Sequence, residues 1–227
     1  MKICKANVLK DMIMKLQKIE YGTSKDSMEL FYKQYYEIYT LLWRDYYSKN
    51  IMFKNLSTFF IIQLLTFIGG EDCILKRTQA YLQFNEHDYF FTIQWWHLHA
   101  KLSKCTDKKV LVPFIIQFTP TDAHANLLVV DAKLKKVYRI EPNYGFETKY
   151  DTVITNRLEY FASNLGFVYS GFFPSSCQRL WHPGLCLMLS VLKYKFETLT
   201  NDQIKSIIVS FFKSEYNRIC SKNLKDF

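Results

Sequence analysis

The segment H-A-N-L-L-V-V-D-A-K-L-K-K-V-Y-R-I-E-P, residues 124–142, is the clearest β-hairpin in this chain. Two runs rich in Leu, Val and Ile flank a polar turn, and this pattern predicts strands at residues 124–130 and 137–140. The preceding run, residues 109–118, is apolar on both faces and predicts a central strand beside the hairpin, although Pro113 is awkward in such a strand. These three strands are expected to form the middle of a sheet.

Helical patterns surround these strands on both sides. Apolar residues recur at helical spacing or run continuously in six segments: residues 1–20, 28–47, 56–68, 150–165, 185–194 and 200–220. Asp26 or Ser27 is the expected N-cap of the second helix, and short strands are expected at residues 90–96 and 167–173. Helices at both ends with strands between them indicate the α+β class, with a central mixed β-sheet flanked by helices.

The length of 227 residues suits one domain, or one domain with an N-terminal extension. We expect residues 1–100 to form a mainly helical N-terminal region that packs on a core formed by residues 101–227, because its apolar stripes need cover. One continuous domain is the alternative. The longest apolar stretch, residues 59–68, is far shorter than the ~20 residues that span a bilayer, so we expect no membrane span.

Charge and cysteine content indicate the class of partner and the compartment. The formal net charge of +9 favours an anionic partner such as nucleic acid or an acidic protein surface. Because the lysines are spread along the chain, a solvated Lys-rich surface is the alternative. The six cysteines show no close-spaced zinc pattern, and the first ten residues do not resemble a secretory signal. We therefore expect free thiols in a reducing intracellular compartment.

Two histidines and a group of tyrosines allow both a structural and a functional interpretation. His97 and His99 lie on one face if they extend the strand at residues 90–96, and such a pair can bind a metal. No carboxylate or cysteine close in sequence completes a site, so we predict no metal. The tyrosines of residues 28–47 can stack on bases, but such a stripe more often belongs to a core.

The hairpin carries a histidine and a glutamate at corresponding positions. If the turn centres on residues 132–133, His124 falls directly opposite Glu141, and Asn126 falls opposite Arg139. A carboxylate at that position accepts an imidazole N–H, selects the tautomer and stabilises the imidazolium. A slip of one residue would put the two side chains on opposite faces of the sheet. The pair is thus a candidate base with its orienting group.

A candidate nucleophile lies in the segment C-Q-R-L-W-H-P-G-L-C-L-M-L-S, residues 177–190. Cys186 follows Pro-Gly-Leu at the expected start of a buried helix, where the helix field favours a thiolate and free backbone N–H groups can bind an oxyanion. Gln178, in the preceding loop, can add a side-chain donor. Each of these residues taken alone is more often structural, so their order and spacing carry the interpretation.

The order and spacing of His124, Glu141, Gln178 and Cys186 resemble those of the catalytic residues in the cysteine proteases of the adenovirus-protease and SUMO/ubiquitin-like-protease clan. The segments H-A-N-L-L-V-V-D and R-I-E-P-N-Y-G are similar especially to members encoded by large DNA viruses. The resemblance covers residues 109–212, about half of the chain. It assigns each candidate a role: general base His124, orienting group Glu141, nucleophile Cys186, oxyanion donor Gln178, and elbow residues Gly184 and Leu185.

The chain departs from the clan pattern at three positions. Ala125 follows the histidine where the SUMO-protease branch commonly has Trp, and no glycine follows Cys186. Cys177 stands where a glycine usually precedes the glutamine, which makes Cys177 the rival nucleophile, although it lies in a predicted loop. Residues 1–100 resemble no family.

The resemblance implies a cysteine endopeptidase that processes viral core or capsid precursors during virion maturation. It would act in the host cytoplasm or nucleus, or be packaged in the virion, without an obligatory cofactor and with nucleic acid as a candidate activator. A deubiquitinase or deSUMOylase, an acetyltransferase, and a non-catalytic basic virion or nucleic-acid-binding protein are the alternatives. Gly69-Gly70 would suit self-cleavage, but it is better explained as a helix stop.

Overall fold

The computed structural model describes residues 2–21, 24–47, 56–69, 73–74, 80–84, 89–119, 123–141, 150–172, 186–196 and 198–223, without the side chains of residues 2–5, 56–61 and 222–223. The chain forms two compact units, one of residues 1–59 with 199–227 and one of residues 60–198. These units do not follow the expected division at residue 100. Packing of the N-terminal region on a catalytic core stays a prediction.

The described residues of the second unit form a mixed sheet of seven strands. Its strands are β1 Cys73–Ile74, β2 Ala80–Phe84, β3 Tyr89–Thr92, β4 Lys109–Gln117, β5 Ala123–Asp131, β6 Lys136–Ile140 and β7 Val168–Phe172. They lie in the order β3-β2-β4-β5-β6-β7, and β1 pairs with β4 beside β2. The β2–β4, β1–β4 and β6–β7 pairs are parallel, and the others are antiparallel. The predicted hairpin is β5–β6, at the centre of the sheet.

Pro113 sits inside β4 without interrupting the sheet. It pairs with Leu127 of β5 in an unbroken antiparallel register. On the other side of β4, the pairs with β1 end at Leu111 and the pairs with β2 begin at Phe114. Pro113 therefore falls between the two parallel partners, where its missing N–H interrupts neither pairing.

Among the described residues, the helices α4 Trp95–Leu102, α5 Asp151–Asn164 and α6 Cys186–Lys195 lie wholly in the second unit, while α3 Leu56–Phe67 includes residues of both units. The apolar face of α5 packs with alternate residues of β4, β5 and β6 in one buried cluster. Helix α6 contacts β5 and β6. Helices flanking a mixed sheet confirm the predicted α+β class, with Cys186 as the first residue of a largely buried helix.

The predicted strand at residues 90–96 is shorter, ending at Thr92, and the condition under which His97 and His99 would share the face of a strand is not met. Both lie in α4, where residues two apart point in different directions. The helix is stabilised by Trp95, whose ring packs against Phe161 of α5 at 5.3 Å between centroids. Within the described residues, no group of three or more His, Cys, Asp or Glu side chains is placed to hold a metal ion.

The first unit contains helices α1 Lys2–Lys18, α2 Lys25–Leu42 and α7 Asn201–Asn223, with a π-helical turn, Trp43–Tyr47, after α2. Ser24 caps α2 in a reciprocal capping box with Ser27, so the cap lies earlier than the expected Asp26 or Ser27. Tyr35 and Tyr39 are buried, and the Tyr47 hydroxyl donates to Glu215 at 2.7 Å. These contacts favour packing for the buried tyrosines over base stacking.

Two of the six cysteines form a disulfide, so the prediction of free thiols is wrong for that pair. Cys73 of β1 is bonded to Cys105, which precedes β4, with their Cα atoms 6.3 Å apart. The parallel pairing of β1 with β4 brings the two together across 32 residues of sequence. Cys186 and Cys220 are free thiols. In the part of the chain that the structure describes, no helix combines the length and the apolar content needed to cross a bilayer.

Candidate active site

The register of the β5–β6 hairpin differs from the predicted one by two residues. Leu128 pairs with Arg139 and Val130 with Val137, because the turn occupies residues 132–135 instead of centring on residues 132–133. The Asp131 carboxylate accepts the Leu134 N–H at 2.9 Å and stabilises this longer turn. A shift of two residues keeps every side chain on its expected face of the sheet.

His124 and Glu141 meet as diagonal neighbours instead of directly opposed ones. The Nε2 atom of His124 lies 2.7 Å from Oε1 of Glu141. The two side chains are largely buried, with 19% and 11% of their surfaces exposed. Diagonal positions on adjacent strands are ~7–8 Å apart, a distance that a histidine and a glutamate together can span. The pair thus forms despite the change of register.

Cys186 completes a group of three side chains that belong to three different elements. His124 is in β5, Glu141 follows β6, and Cys186 opens α6. The imidazole is hydrogen-bonded to the Cys186 thiol as well as to Glu141. Because Nε2 faces Glu141, Nδ1 is the ring nitrogen left for the sulfur. The thiol is partly exposed and is therefore open to small reagents.

The surroundings of His124 favour the imidazolium. Burial of the ring alone would lower its pKa, but the hydrogen bonds to Cys186 and Glu141, and the negative charges of these groups, raise the pKa from 6.5 to about 10. Near neutral pH the ring is therefore protonated. A positively charged donor thus lies between the Glu141 carboxylate and the Cys186 sulfur.

The raised pKa makes the stability of the protein depend on pH. A histidine with a pKa of 6.5 in the unfolded chain and about 10 in the folded one binds its proton more tightly when folded. Its contribution to the free energy of unfolding is full below the unfolded value and is lost as pH rises through the folded value. Compared with His124→Gln, we expect the wild type to lose on the order of a few kcal/mol between pH 6.5 and 10.

Urea unfolding of the two proteins at several pH values across this window measures the difference. Parallel stability profiles for the wild type and His124→Gln would contradict the charged state assigned to the ring.

Two polar residues of α6 contact the end of β6, and the sequence interpretation missed both. The Ser190 hydroxyl lies 2.9 Å from the carbonyl oxygen of Cys186 and 3.3 Å from that of Ile140. Lys193 Nζ donates to the carbonyl oxygen of Glu141 at 3.1 Å. A signal was present in the sequence, because the two are the polar residues at four and seven positions after Cys186 in an otherwise apolar run.

Arg139 is a third buried polar residue near this group. Only 2% of its side chain is exposed, and its Nη2 lies 3.8 Å from the Asp151 carboxylate of α5. Burial lowers the pKa of the Arg139 guanidinium, while the neighbouring Tyr169, Glu141 and Asp151 act in the opposite direction. Arg139 thus places a positive charge near the carboxylate that contacts His124.

The remaining predicted site residues, Cys177, Gln178, Gly184 and Leu185, lie outside the described residues. The oxyanion donor, the elbow and the rival nucleophile therefore stay predictions. The first backbone N–H groups of α6 have no partner within the helix itself, as in any helix, and they begin at Cys186. Such N–H groups can donate to a developing negative charge near the sulfur.

No protein-family model and no curated protein matches this chain. Among solved structures, the C-terminal Ulp1 protease domain in complex with Smt3, the yeast ortholog of SUMO, is similar at 11% identity and a TM-score of 0.43, covering 77% of this chain and 81% of that chain. The SUMO protease Ulp1 with its catalytic cysteine oxidised to a sulfenic acid is similar at 11% identity and a TM-score of 0.40, covering 77% and 83%. The sulfonic acid form has the same identity and coverage, with a TM-score of 0.41.

Proposed function

We propose that this chain is a cysteine protease that hydrolyses peptide or isopeptide bonds of protein substrates, with Cys186 as nucleophile, His124 as general acid and base, and Glu141 as orienting group. The observation that supports the proposal is the contact of His124 with Glu141 at 2.7 Å and its simultaneous hydrogen bond to Cys186. A base held between an orienting carboxylate and a nucleophile is the general arrangement for covalent acyl transfer.

In the first half of the proposed reaction, the Cys186 thiolate attacks the carbonyl carbon of the scissile bond. A C–S bond forms, and the carbonyl electron pair moves to the oxygen, which the N–H groups at the start of α6 stabilise, together with Gln178 in the predicted site. When this intermediate collapses, the C–N bond breaks. The amine leaves with the proton of the His124 imidazolium, and a thioester remains on Cys186.

In the second half, the neutral imidazole accepts a proton from water while the water oxygen attacks the thioester carbon. The C–S bond breaks and releases the carboxylic acid product, and the thiolate–imidazolium pair is restored. Glu141 keeps Nε2–H directed towards itself throughout, which leaves Nδ1 for the sulfur and the leaving group.

The proposed substrates are precursors of viral core or capsid proteins that are cut during virion maturation. Similarity of residues 124–131 and 139–145 to proteases of large DNA viruses supports this part of the proposal. The formal net charge of +9 supports nucleic acid as an activator or track for the enzyme. Hydrolysis of isopeptide bonds in ubiquitin-like conjugates would use the same attack and the same three residues.

Alkylation by iodoacetamide, followed by peptide mapping, tests the proposal in the full chain. We expect Cys186 to react about 10²-fold faster than Cys220, because His124 can accept the thiol proton and its positive charge then stabilises the thiolate. Acceleration of this size is typical of a positioned acid–base group. Cys220 is a matched internal control, since it is also a free, partly exposed thiol of the same chain. In His124→Ala the two rates should become similar.

Equal and slow alkylation of Cys186 and Cys220 in the wild type would remove the protease proposal and leave a non-catalytic protein on this fold. Fast alkylation of Cys177 in place of Cys186 would overturn the assignment of the nucleophile.

A further inference from the structure

Two buried side chains of helix α6 donate hydrogen bonds to successive backbone carbonyl groups at the end of β6. The single hydroxyl proton of Ser190 is shared between the Cys186 carbonyl of its own helix, at 2.9 Å, and the Ile140 carbonyl, at 3.3 Å. Lys193 donates to the carbonyl of Glu141. The exposed fractions of these side chains are 0% for Ser190 and 4% for Lys193. The helix that begins with Cys186 is therefore tied to the main chain of the residue whose carboxylate contacts His124.

A buried lysine at this position is unfavourable for packing alone. Lysine is rarely buried to this extent, and removing an ammonium group from water is costly unless a partner compensates. Methionine has a similar length and would fill the same space without this desolvation cost, but it would leave the Glu141 carbonyl oxygen without the donor. The contact with the Glu141 carbonyl thus indicates a role that an apolar side chain would not fill.

We propose that Ser190 and Lys193 are positioning residues that hold Glu141, and through it His124, in register with the Cys186 sulfur. This inference rests on the proposed function and adds two residues to it. Neither residue is suggested to touch the substrate. The two bonds set the distance between α6 and the end of β6, which is the distance that the three-residue site requires. A misplacement of about 1 Å is sufficient to reduce reactivity up to 10²-fold.

Loss of positioning and loss of charge have opposite effects on His124. Removing the positive charge of Lys193 by itself would ease protonation of the imidazole and raise its pKa. If Glu141 were held less firmly, its carboxylate would lie farther from the imidazole on average. The hydrogen bond and the electrostatic attraction that now raise the pKa of His124 to about 10 would both weaken, and that pKa would fall. The direction of change therefore distinguishes positioning from a simple charge effect.

The test uses Lys193→Met, Ser190→Ala and the matched control Lys195→Met in the full chain. Lys195 lies in the last turn of the same helix and carries the same charge, with its ammonium over the ring of Tyr194. The readouts are the alkylation rate of Cys186, the NMR titration of the His124 ring and the melting temperature. His124→Gln identifies the His124 signal among the five histidines.

For Lys193→Met we expect Cys186 alkylation to fall about 10-fold and the His124 pKa to fall by about one pH unit. The melting temperature should fall by only a few degrees, because the lost hydrogen bond to the Glu141 carbonyl is partly offset by the removal of a buried ammonium group. Ser190→Ala should change the first two readouts in the same direction, and Lys195→Met should change neither. An unchanged or higher His124 pKa in Lys193→Met would overturn the inference, as would a lower melting temperature with both other readouts unchanged.

Two further outcomes are also decisive. If Lys193→Met does not fold, Ser190→Ala decides the question by the same readouts, because it removes a donor and no charge. If wild-type Cys186 reacts no faster than Cys220, the proposed function fails. The His124 titration then still decides whether Ser190 and Lys193 position Glu141.

Discussion

Replacing Cys186 with alanine is expected to abolish covalent chemistry and to leave the fold intact. In the proposed site, this sulfur forms the thioester, and it is the thiol hydrogen-bonded to His124. Hydrolysis of any substrate that the wild type cleaves should fall about 10⁴-fold or more, as expected for removal of a residue that acts as a unit with its partners. The thiol is partly exposed, so its loss leaves little cavity and the melting temperature should change little.

The burst of p-nitrophenol released from p-nitrophenyl acetate measures this result without knowledge of the natural substrate. The wild type should release one equivalent per chain in the burst, and Cys186→Ala should release none. Cys220→Ala is the control, since it removes another free, partly exposed thiol and should retain the full burst. A burst that persists in Cys186→Ala and is absent from Cys177→Ala would transfer the role of nucleophile to Cys177.

Replacing Glu141 with glutamine is expected to lower the rate at which Cys186 is acylated by about 10²–10⁴-fold with little change in the fold. The amide has the same size, but it carries no negative charge to stabilise the imidazolium. It can also turn its NH₂ group towards the ring and favour the wrong tautomer. Because Glu141 is one of the groups that raise the pKa of His124, that pKa should fall in Glu141→Gln.

Two measurements check this prediction, the rate of the burst and the NMR titration of His124. Glu159→Gln is the matched control, because it makes the same replacement on the exposed surface of α5 in the same unit. Wild-type rates in Glu141→Gln, with an unchanged His124 titration, would show that the 2.7 Å contact is only structural.

Local sequence patterns were sufficient for the fold class and for most elements. The hairpin, the central strand with Pro113 and the helix that begins near Cys186 follow from alternation, turn residues and continuous apolar runs. Such features depend on residues close in sequence. For the same reason the face of β5 that carries His124 was predicted, since side-chain direction in a strand has a period of two and survives the observed shift of register.

The length of the hairpin turn and the contacts between distant segments could not be derived in this way. The register depends on the length of the turn, which the Asp131–Leu134 hydrogen bond stabilises. The Cys73–Cys105 disulfide depends on the pairing of β1 with β4. Residues 95–102 form a helix whose Trp95 packs against Phe161 of α5, although the aromatic run before them resembles a strand.

The candidate site likewise has some features that the local sequence indicates and others that depend on tertiary packing. The chemical types at His124, Glu141 and Cys186, and the elements that carry them, are local properties and can be read from the order of residues. The 2.7 Å contact, the raised pKa of His124 and the donors Ser190 and Lys193 at the end of β6 arise only when α6 packs against the hairpin. Distances and desolvation are set by packing between segments, and no local pattern specifies them.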